Sequence, residues 1–133
     1  MSWTQSQLTK LKEDAFKFGI ELNEKQLHQF IKYYELLVEW NSFMNLTAIT
    51  EFEAVCTKHF IDSISLCKAV DCTKEYHVID IGTGAGFPGI PLKIAFPNLK
   101  ITLLDSLGKR VNFLNAVITE LGLQEIEAIH GRA

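Results

Sequence analysis

Proline and glycine are almost absent from the first seventy residues. That stretch contains a single glycine, Gly19, and no proline, although the chain of 133 residues has eight glycines and three prolines. A segment with so few helix breakers is typical of helical structure. All the other glycines and prolines follow residue 70, so the two parts of the chain are expected to differ in structure.

Cysteine is also scarce. The three cysteines, Cys56, Cys67 and Cys72, form neither a CxxC pair nor a zinc-binding spacing, and their odd number argues against a disulfide framework. We therefore expect reduced cysteines, mostly in the core, and a cytoplasmic protein. The N-terminal residues lack the apolar segment of a signal peptide, and no run approaches about 18 apolar residues, so neither secretion nor a membrane span is predicted.

Charge of neither sign dominates. The chain has 13 Lys and Arg against 16 Asp and Glu, a net charge of −3, and neither half is a basic arm. Charge alone therefore does not indicate a nucleic-acid partner. The contents of hydrophobic residues (47%) and charged residues (22%) are those of a globular protein, which argues against extensive disorder.

The first seventy residues show helical periodicity. The first predicted helix is followed by Gly19, and its apolar face comprises Leu8, Leu11, Ala15 and Phe18. Asn23 and Gln26 form a capping-box signature before a second helix. The apolar stripe of that helix comprises Leu27, Phe30, Ile31, Tyr34, Leu37 and Val38. We interpret its aromatic residues as core rather than as a surface for stacking bases.

Two more helices are predicted before residue 70. Thr50 and Glu53 repeat the capping-box signature at the start of a short helix that ends near Lys58. The sequence HFIDSISLCKAV, residues 59–70, predicts another helix. We therefore predict an all-α N-terminal unit over residues 1–73.

The remaining sequence alternates between strand and helix. Strands are predicted in YHVIDIG, KITLLD and IEAIHG. Helices are predicted in PGIPLKIAF, with Pro88 at its first position, and in LGKRVNFLNAVITELG. Such an alternation forms parallel βαβ units with right-handed crossovers. The predicted fold class is α/β: a partial Rossmann-like domain of three parallel strands over residues 74–133, preceded by the all-α unit.

Three strands make an incomplete sheet of this class, since a doubly wound sheet normally continues on the other side of its first strand. The first strand is therefore expected to be an unpaired apolar edge. We expect either that the chain is a fragment of a longer design or that another chain covers this edge.

The segment VIDIGTGAGFPGIP places four glycines directly after the first predicted strand. A glycine turn there lets the backbone approach a ligand closely, and it offers backbone N–H groups and the positive end of the next helix. Gly84, Gly86 and Gly89 match GxGxxG, which indicates a nicotinamide or flavin dinucleotide as one candidate ligand.

The same segment also fits a cationic ligand. Asp80 stands two residues before the first of three alternating glycines, Gly82, Gly84 and Gly86. A carboxylate there suits the ammonium and sulfonium groups of S-adenosylmethionine. Asp105 ends the second predicted strand, where it is placed to accept both ribose hydroxyls of an adenosine. Because both candidate ligands contain that ribose, Asp105 does not distinguish them.

Few other polar residues suggest chemistry. His59 and Asp62, at i and i+3, are interpreted as a hydrogen-bonded structural pair. Lys109 and Arg110 fall in the first turn of a predicted helix, where cations oppose the helix dipole. They are either contacts for an RNA phosphate or solvated surface cations. No catalytic residue and no metal site is assigned.

The segments NLTAIT, HFIDSI, VIDIGTGAGFPGIPLKIAFPNLKITLLDSLGKRVNFL and HGRA together resemble the RsmG (GidB) family. Members of this family are bacterial S-adenosylmethionine-dependent methyltransferases that modify N7 of a guanine in 16S ribosomal RNA. The resemblance implies that 16S ribosomal RNA or the small ribosomal subunit is the partner. Since guanine N7 carries no proton, its methylation demands no general base and relies on alignment of the reactants.

The resemblance also implies site residues. Gly82 and Phe87 match positions that line the cofactor, Asp105 matches the ribose-binding acid, and Ala133 matches one residue of a pair at the adenine. The predicted cofactor site comprises Asp80, Gly82, Gly84, Phe87, Asp105 and Ala133. A NAD-dependent oxidoreductase and a non-catalytic binding module are the alternative functions.

Overall fold

The computed structural model describes residues 5–132. Its helical part comprises α1 (Gln5–Phe16), α2 (Glu24–Asn41), α3 (Phe52–Val55), a π-helical segment (Cys56–Ile61), α4 (Asp62–Ile64) and a 3-10 segment (Ser65–Lys68). Its α/β part comprises β1 (His77–Ile81), α5 (Gly89–Ala95), β2 (Lys100–Asp105), α6 (Gly108–Leu121) and β3 (Ile126–His130). Within residues 5–132, no helix is both long and apolar enough to cross a membrane.

The predicted start of α2 is confirmed. The Asn23 side chain accepts a hydrogen bond from the Gln26 N–H at 2.8 Å, and the Gln26 side chain accepts one from the Asn23 N–H at 2.8 Å. These bonds satisfy two backbone donors that a helix start leaves unpaired. Gly19 has a φ of +78°, which fits its predicted place after the first helix.

The chain is continuously helical from α3 through the 3-10 segment, and this corrects two expectations. Thr50 and Glu53 do not form a capping box: the N-cap of α3 is Glu51, and its side chain makes no capping hydrogen bond. The Thr50 carbonyl instead accepts the Tyr34 hydroxyl at 2.6 Å, which fixes the backbone just before the helix. The helix does not end near Lys58, because the π-helical segment carries it onward.

Three parallel strands form one sheet in the order β1-β2-β3, which confirms the predicted fold class. Asp80 of β1 lies beside Leu103 of β2, and Leu103 lies beside Ala128 of β3. Leu103 is fully buried, and a side chain added at Gly89 would collide with both Leu103 and Asp80. The start of α5 therefore packs tightly on this face of the sheet.

The opposite face of β1 is apolar and open. Ile79 and Ile81 alternate with Asp80 and are 59% and 61% exposed. Two right-handed crossovers in one direction place α5 and α6 on the same side of the sheet, away from these isoleucines. Within residues 5–132, β1 pairs with β2 alone, so the predicted apolar edge is confirmed for the part of the chain that the structure describes.

The helix α5 begins one residue later than predicted. Pro88 is its N-cap and not its first helical residue, and the Pro88 carbonyl accepts the Leu92 N–H at 3.1 Å. The peptide bond between Phe87 and Pro88 is cis. The Gly89 N–H, which a helix start leaves without a helical partner, donates to the Asp80 carboxylate at 3.0 Å. A strand residue thereby caps this helix.

The helix α2 packs against both α5 and α6. Gln26 Nε2 donates to the Ile94 carbonyl at 2.9 Å, and Gln29 Nε2 donates to the Leu121 carbonyl at 3.0 Å. Each bond satisfies a carbonyl near the C-terminal end of a helix, where helical partners run out. Farther along α2, Tyr33 reaches the glycine-rich segment after β1. The helical part and the α/β part therefore share buried polar contacts.

Candidate functional site

The turn between β1 and α5, residues 82–88, is called the glycine loop below. Asp80 supports it from beneath, because Asp80 Oδ2 accepts the Thr83 hydroxyl at 2.6 Å and the Gly89 N–H at 3.0 Å. Only 9% of Asp80 is exposed. Burial raises its pKa, the two hydrogen bonds oppose that rise, and the charge of Asp105 adds to it. The Asp80 carboxylate thus braces the loop from the protein interior.

Asp105, at the end of β2, holds the other side of the loop. Its Oδ2 accepts the Gly84 N–H at 2.9 Å, and its Oδ1 accepts the Leu107 N–H at 2.9 Å. Arg110 Nη1 lies 3.7 Å from Oδ2, and the Asp105 side chain is 2% exposed. The cation in the first turn of α6 therefore has a buried carboxylate as its counter-charge. Lys109, the second cation of that turn, is exposed.

The backbone N–H groups of the glycine loop are largely used within the protein. Those of Gly82 and Thr83 donate to the Leu104 carbonyl at 2.8 and 3.2 Å, and those of Gly86 and Phe87 donate to the Thr83 carbonyl at 3.0 and 3.2 Å. With Gly84 bound to a carboxylate, the loop is a closed set of hydrogen bonds. The amide donors that the sequence led us to expect for a ligand are therefore mostly occupied.

One side of the loop is nevertheless open. Gly82 and Gly84 have φ angles of +69° and +60°, and a Cβ added at either would meet no atom within 4 Å. Positive φ explains why glycine suits both positions. The free space beside them lets another molecule approach the backbone closely. This open side lies at the carboxyl ends of parallel strands, where α/β proteins bind ligands.

The loop is closely packed on its other side. A Cβ at Gly86, with φ of +101°, would lie 2.6 Å from Ile90 Cδ1 and 2.7 Å from Tyr33 Oη. Tyr33 is fully buried, and its hydroxyl donates to the Ala85 carbonyl at 2.5 Å. Burial raises the pKa of Tyr33 well above its usual value, and the nearby Asp80 adds to the rise, so the hydroxyl keeps its proton.

The sequence did not single out Tyr33. Tyr33 lies beside the predicted apolar stripe of α2. It is nevertheless buried, because the buried face of α2 is wider than that stripe. An aromatic residue flanking such a stripe is the only signal that pointed to it.

Phe87, the next-to-last residue of the loop, has a half-buried ring. The ring stacks on His59, with centroids 4.3 Å apart and planes at 11°, and it also contacts Tyr33 at 5.7 Å. His59 Nε2 and Thr47 Oγ1 share a hydrogen bond of 3.0 Å. The expected bond between His59 and Asp62 is therefore wrong. Burial lowers the pKa of His59, and Asp62 acts on it only as a charge that opposes the shift.

Five of the six predicted cofactor residues thus surround one loop. Asp80 and Asp105 lie beneath it, Gly82 and Gly84 form its open side, and Phe87 is its next-to-last residue. The sixth, Ala133, lies outside the described residues. Among the described residues, no group of three or more His, Cys, Asp or Glu side chains is arranged to hold a metal ion.

A surface depression of 460 Å³ adjoins the loop and is lined by Asp62, Ser63, Ser65, Leu66, Phe87 and Pro88. A larger one, of 570 Å³, lies between α1 and the start of α2 and includes no loop residue. We place the candidate site at the loop, because strand ends, buried charges and open glycines converge there. The larger depression has no such convergence.

Comparisons with known proteins identify the family of this chain. A family model described as "GidB: rRNA small subunit methyltransferase G" matches residues 26–133. Ribosomal RNA small subunit methyltransferase G of Lachnoclostridium phytofermentans is 62% identical over 115 residues, which are 86% of this chain and 48% of that protein. The protein of the same name from Exiguobacterium sibiricum is 58% identical over 115 residues, with the same coverage of 86% and 48%.

The chain spans about half the length of the curated relatives it matches. Among solved structures, a putative protein-L-isoaspartate O-methyltransferase from Plasmodium falciparum in complex with S-adenosyl-L-homocysteine is 16% identical, with a TM-score of 0.49. That match covers 92% of this chain and 62% of the other. On the family match and the identities to its curated members, this chain belongs to the GidB family, rRNA small subunit methyltransferase G.

Proposed function

We propose that this protein binds S-adenosylmethionine at the glycine loop and transfers a methyl group to N7 of a guanine in 16S ribosomal RNA. The observation that carries the cofactor proposal is the pair of buried carboxylates, Asp80 and Asp105, beneath a loop whose amide groups are already used. Membership of the GidB family is the basis for proposing ribosomal RNA as the substrate.

The electrostatics of the loop argue against a dinucleotide. A pyrophosphate needs free N–H groups at the loop and at the start of the following helix. Here the Gly84 N–H donates to Asp105, and the Gly89 N–H at the start of α5 donates to Asp80. A pyrophosphate would meet two carboxylates in place of those donors. We therefore do not favour a NAD-dependent oxidoreductase.

The residues present fit S-adenosylmethionine, whose charged groups include an ammonium and a sulfonium. The open side of Gly82 and Gly84 gives it close access to backbone, and the Phe87 ring gives an apolar surface. Asp105 suits the ribose hydroxyls, and binding them at Oδ2 requires the Gly84 N–H to give up its hydrogen bond to that oxygen. When bound, the cofactor supplies an electrophilic methyl group. We propose that Ala133 contacts the adenine of the cofactor.

The residues of this chain would then act by binding and alignment. Guanine N7 attacks through its own lone pair, so no side chain has to remove a proton, and holding the reactants in line supplies most of the rate gain. Lys109, the second residue of α6, is exposed, which supports a contact with an RNA phosphate. We propose either naked 16S ribosomal RNA or the small ribosomal subunit as substrate, in the cytoplasm.

A division of the chain into a helical unit, residues 1–73, and a partial Rossmann-like cofactor domain, residues 74–133, is part of this proposal. The switch from helices to strands between Lys68 and His77 supports it.

Calorimetric titration tests the cofactor proposal. S-adenosylmethionine should release or absorb heat on binding, and NAD should give none. Gly82→Val, which fills the open side of the loop, should abolish the signal. Gly19→Val is its matched control, since Gly19 also has a positive φ, +78°, and no atom within 4 Å of an added Cβ. Heat with NAD alone would contradict the proposal.

A methylation assay tests the reaction. Small ribosomal subunits, or deproteinised 16S ribosomal RNA, are incubated with the protein and labelled S-adenosylmethionine, and label is measured in the RNA. Incorporation at a single guanine, lost in Gly82→Val and kept in Gly19→Val, is the expected result. Cofactor binding without any incorporation into either substrate would favour a non-catalytic binding module.

A further inference from the structure

The π-helical segment Cys56–Ile61 lies inside an otherwise ordinary helical stretch. π-helical turns are rare and occur frequently at functional sites, because the wider turn costs stability that something else must offset. This turn carries His59. The imidazole lies flat on the Phe87 ring, with centroids 4.3 Å apart.

A chain of hydrogen bonds fixes the rotation of the His59 ring. Asn41 Oδ1 accepts the Thr47 N–H at 3.0 Å, and Thr47 Oγ1 accepts the Ile49 N–H at 3.1 Å. The same Thr47 hydroxyl is 3.0 Å from His59 Nε2. Because both the N–H and the hydroxyl oxygen of Thr47 are held by hydrogen bonds, the imidazole that it binds has one preferred orientation.

Phe87 is thereby held between two elements of the helical part. His59 stacks on it, while Tyr33 contacts the ring at 5.7 Å and Phe60 at 6.3 Å. Tyr33 and Phe60 are fully buried core residues, whereas His59 is half-buried and polar. An apolar side chain would satisfy packing alone, so the use of an imidazole tied to Thr47 points to a requirement for ring orientation.

We propose that His59 is a positioning residue of the cofactor site: stacked on Phe87 and oriented by Thr47, it holds the Phe87 ring where the ring contacts S-adenosylmethionine. The inference rests on the proposed function, since it needs the glycine loop to be the cofactor site. The helical part of the chain thereby contributes to cofactor affinity through the contact between His59 and Phe87.

Affinity measurements on matched variants test the proposal. His59→Ala should raise the Kd for S-adenosylmethionine about three- to tenfold, as loss of one aromatic pair implies. His59→Phe restores a flat ring but has no nitrogen to bind Thr47, so its Kd should lie between those of His59→Ala and the wild type. Thr47→Val, which keeps the stack and loses the orienting bond, should give an intermediate Kd.

His77→Ala is the matched control. His77 Nε2 shares a hydrogen bond of 2.9 Å with Thr102 Oγ1, so this variant also breaks a histidine–threonine pair. His77 begins β1, whereas the loop follows its end, about 13 Å away along a strand of this length. His77→Ala should lower the unfolding midpoint in urea and leave the Kd unchanged.

A second readout needs no cofactor. In protein carrying ¹³C-labelled phenylalanine, the Phe87 ring resonances should shift in His59→Ala and Thr47→Val and stay in place in His77→Ala. A wild type that binds S-adenosylmethionine with the same Kd as His59→Ala overturns this inference and leaves the proposed function intact. A wild type that binds no S-adenosylmethionine overturns the proposed function, and the inference falls with it. A Kd of His59→Phe as high as that of His59→Ala overturns the stacking argument, and a wild-type Kd in His59→Phe overturns the role given to the bond with Thr47.

Discussion

Two carboxylates lie side by side beneath the glycine loop, and each is engaged by a different set of donors. Asp80 holds Thr83 and Gly89, while Asp105 holds the Gly84 N–H and is paired with Arg110. Only Asp105 has a cationic partner. Burial of Asp80 without one raises its pKa. At the scale of single residues, this buried charge is the feature with measurable consequences.

Asp80→Asn should change the pH dependence of stability. Between 3.8 and its raised pKa, Asp80 holds a proton in the folded state that the unfolded state releases. An excess of protons on the folded state makes wild-type stability fall as pH rises through this window. Asparagine binds no proton, so the free energy of unfolding of Asp80→Asn, measured in urea from about pH 4 to about pH 7, should rise relative to the wild type.

Asp71→Asn is the control of opposite sign. The Thr73 side chain and then the Thr73 N–H hydrogen-bond the Asp71 carboxylate and lower its pKa. The stabilisation is therefore present above 3.8 and is lost as pH falls through the lowered pKa. Relative to the wild type, Asp71→Asn should lose stability as pH rises from the lowered pKa to 3.8, so this variant is measured in that more acidic range. The same trend in both variants would contradict the assignment of Asp80 as a carboxylate destabilised by burial.

Two glycines of the loop should respond differently to alanine. Gly86→Ala combines a φ of +101° with an added Cβ 2.6 Å from Ile90 Cδ1, so it should lower the free energy of unfolding by roughly 2–4 kcal/mol. Gly84→Ala has a φ of +60° and open space, so about 1 kcal/mol is expected. Urea unfolding measures both losses. Equal losses would mean that packing beneath Gly86 is looser than the structure indicates.

At the scale of elements, α2 joins the two parts of the chain through polar side chains. Gln26 takes part in the capping box and also donates to Ile94, whereas Asn23 takes part in the capping box alone. Tyr33 binds the Ala85 carbonyl farther along the same helix. One helix thus supports the end of α5 and the glycine loop.

Gln26→Ala should destabilise the protein more than Asn23→Ala. Loss of an N-cap side chain costs about 1 kcal/mol, which is the expectation for Asn23→Ala. Gln26→Ala loses its capping bond and also leaves the Ile94 carbonyl without that donor, so roughly 2–3 kcal/mol is expected. Urea unfolding at neutral pH measures both variants. A smaller loss for Gln26→Ala than for Asn23→Ala would show that its bond to α5 contributes nothing.

Patterns among residues close in sequence predicted the helices and strands well, whereas contacts between separate elements could not be predicted. Asn23 and Gln26 are three residues apart and form the capping box that this spacing predicts, whereas Thr50 and Glu53 have the same spacing and form none. At Thr50 the backbone carbonyl instead accepts a hydrogen bond from the hydroxyl of Tyr34, which lies in α2. His59 likewise pairs with Thr47, twelve residues away, and not with its helical neighbour Asp62.

The position of the candidate site could be predicted from the sequence, but the hydrogen bonds of its side chains could not. Strand ends and glycines located Asp80, Gly82 and Asp105 around one loop, because parallel strands present their carboxyl ends at the same edge. Periodicity and spacing cannot tell that Asp105 binds the Gly84 amide, or that Asp80 binds the Thr83 hydroxyl and the first amide of α5. That outcome depends on how the loop closes over the sheet, which involves Leu104 carbonyl contacts from a neighbouring strand.

At the scale of the whole molecule, the sheet has one covered face and one open face. Ile79 and Ile81 on the open face are more than half exposed, beside the strand edge of β1. Exposed apolar side chains next to an unpaired strand edge favour self-association. The open face should therefore control the solubility of this chain more than its stability.

Ile79→Thr combined with Ile81→Thr should reduce self-association with little change in stability. Threonine keeps the strand preference of a β-branched residue and removes apolar surface from the open face. Light scattering and binding of an apolar dye should both decrease, and the free energy of unfolding should change by less than about 0.5 kcal/mol per site. Ile101→Thr, at a buried position of β2, is the control and should cost about 2 kcal/mol or more. Unchanged scattering in the double variant would contradict the prediction.

The bond between Gln29 and the Leu121 carbonyl joins residues 92 positions apart. During synthesis at about 5–20 residues per second, Gln29 emerges from the ribosome roughly 5–20 s before Leu121 does. For that interval the apolar stripe of α2 has no α6 to cover it. A nascent chain of this protein should therefore present α2 to chaperones early and release it only when α6 emerges.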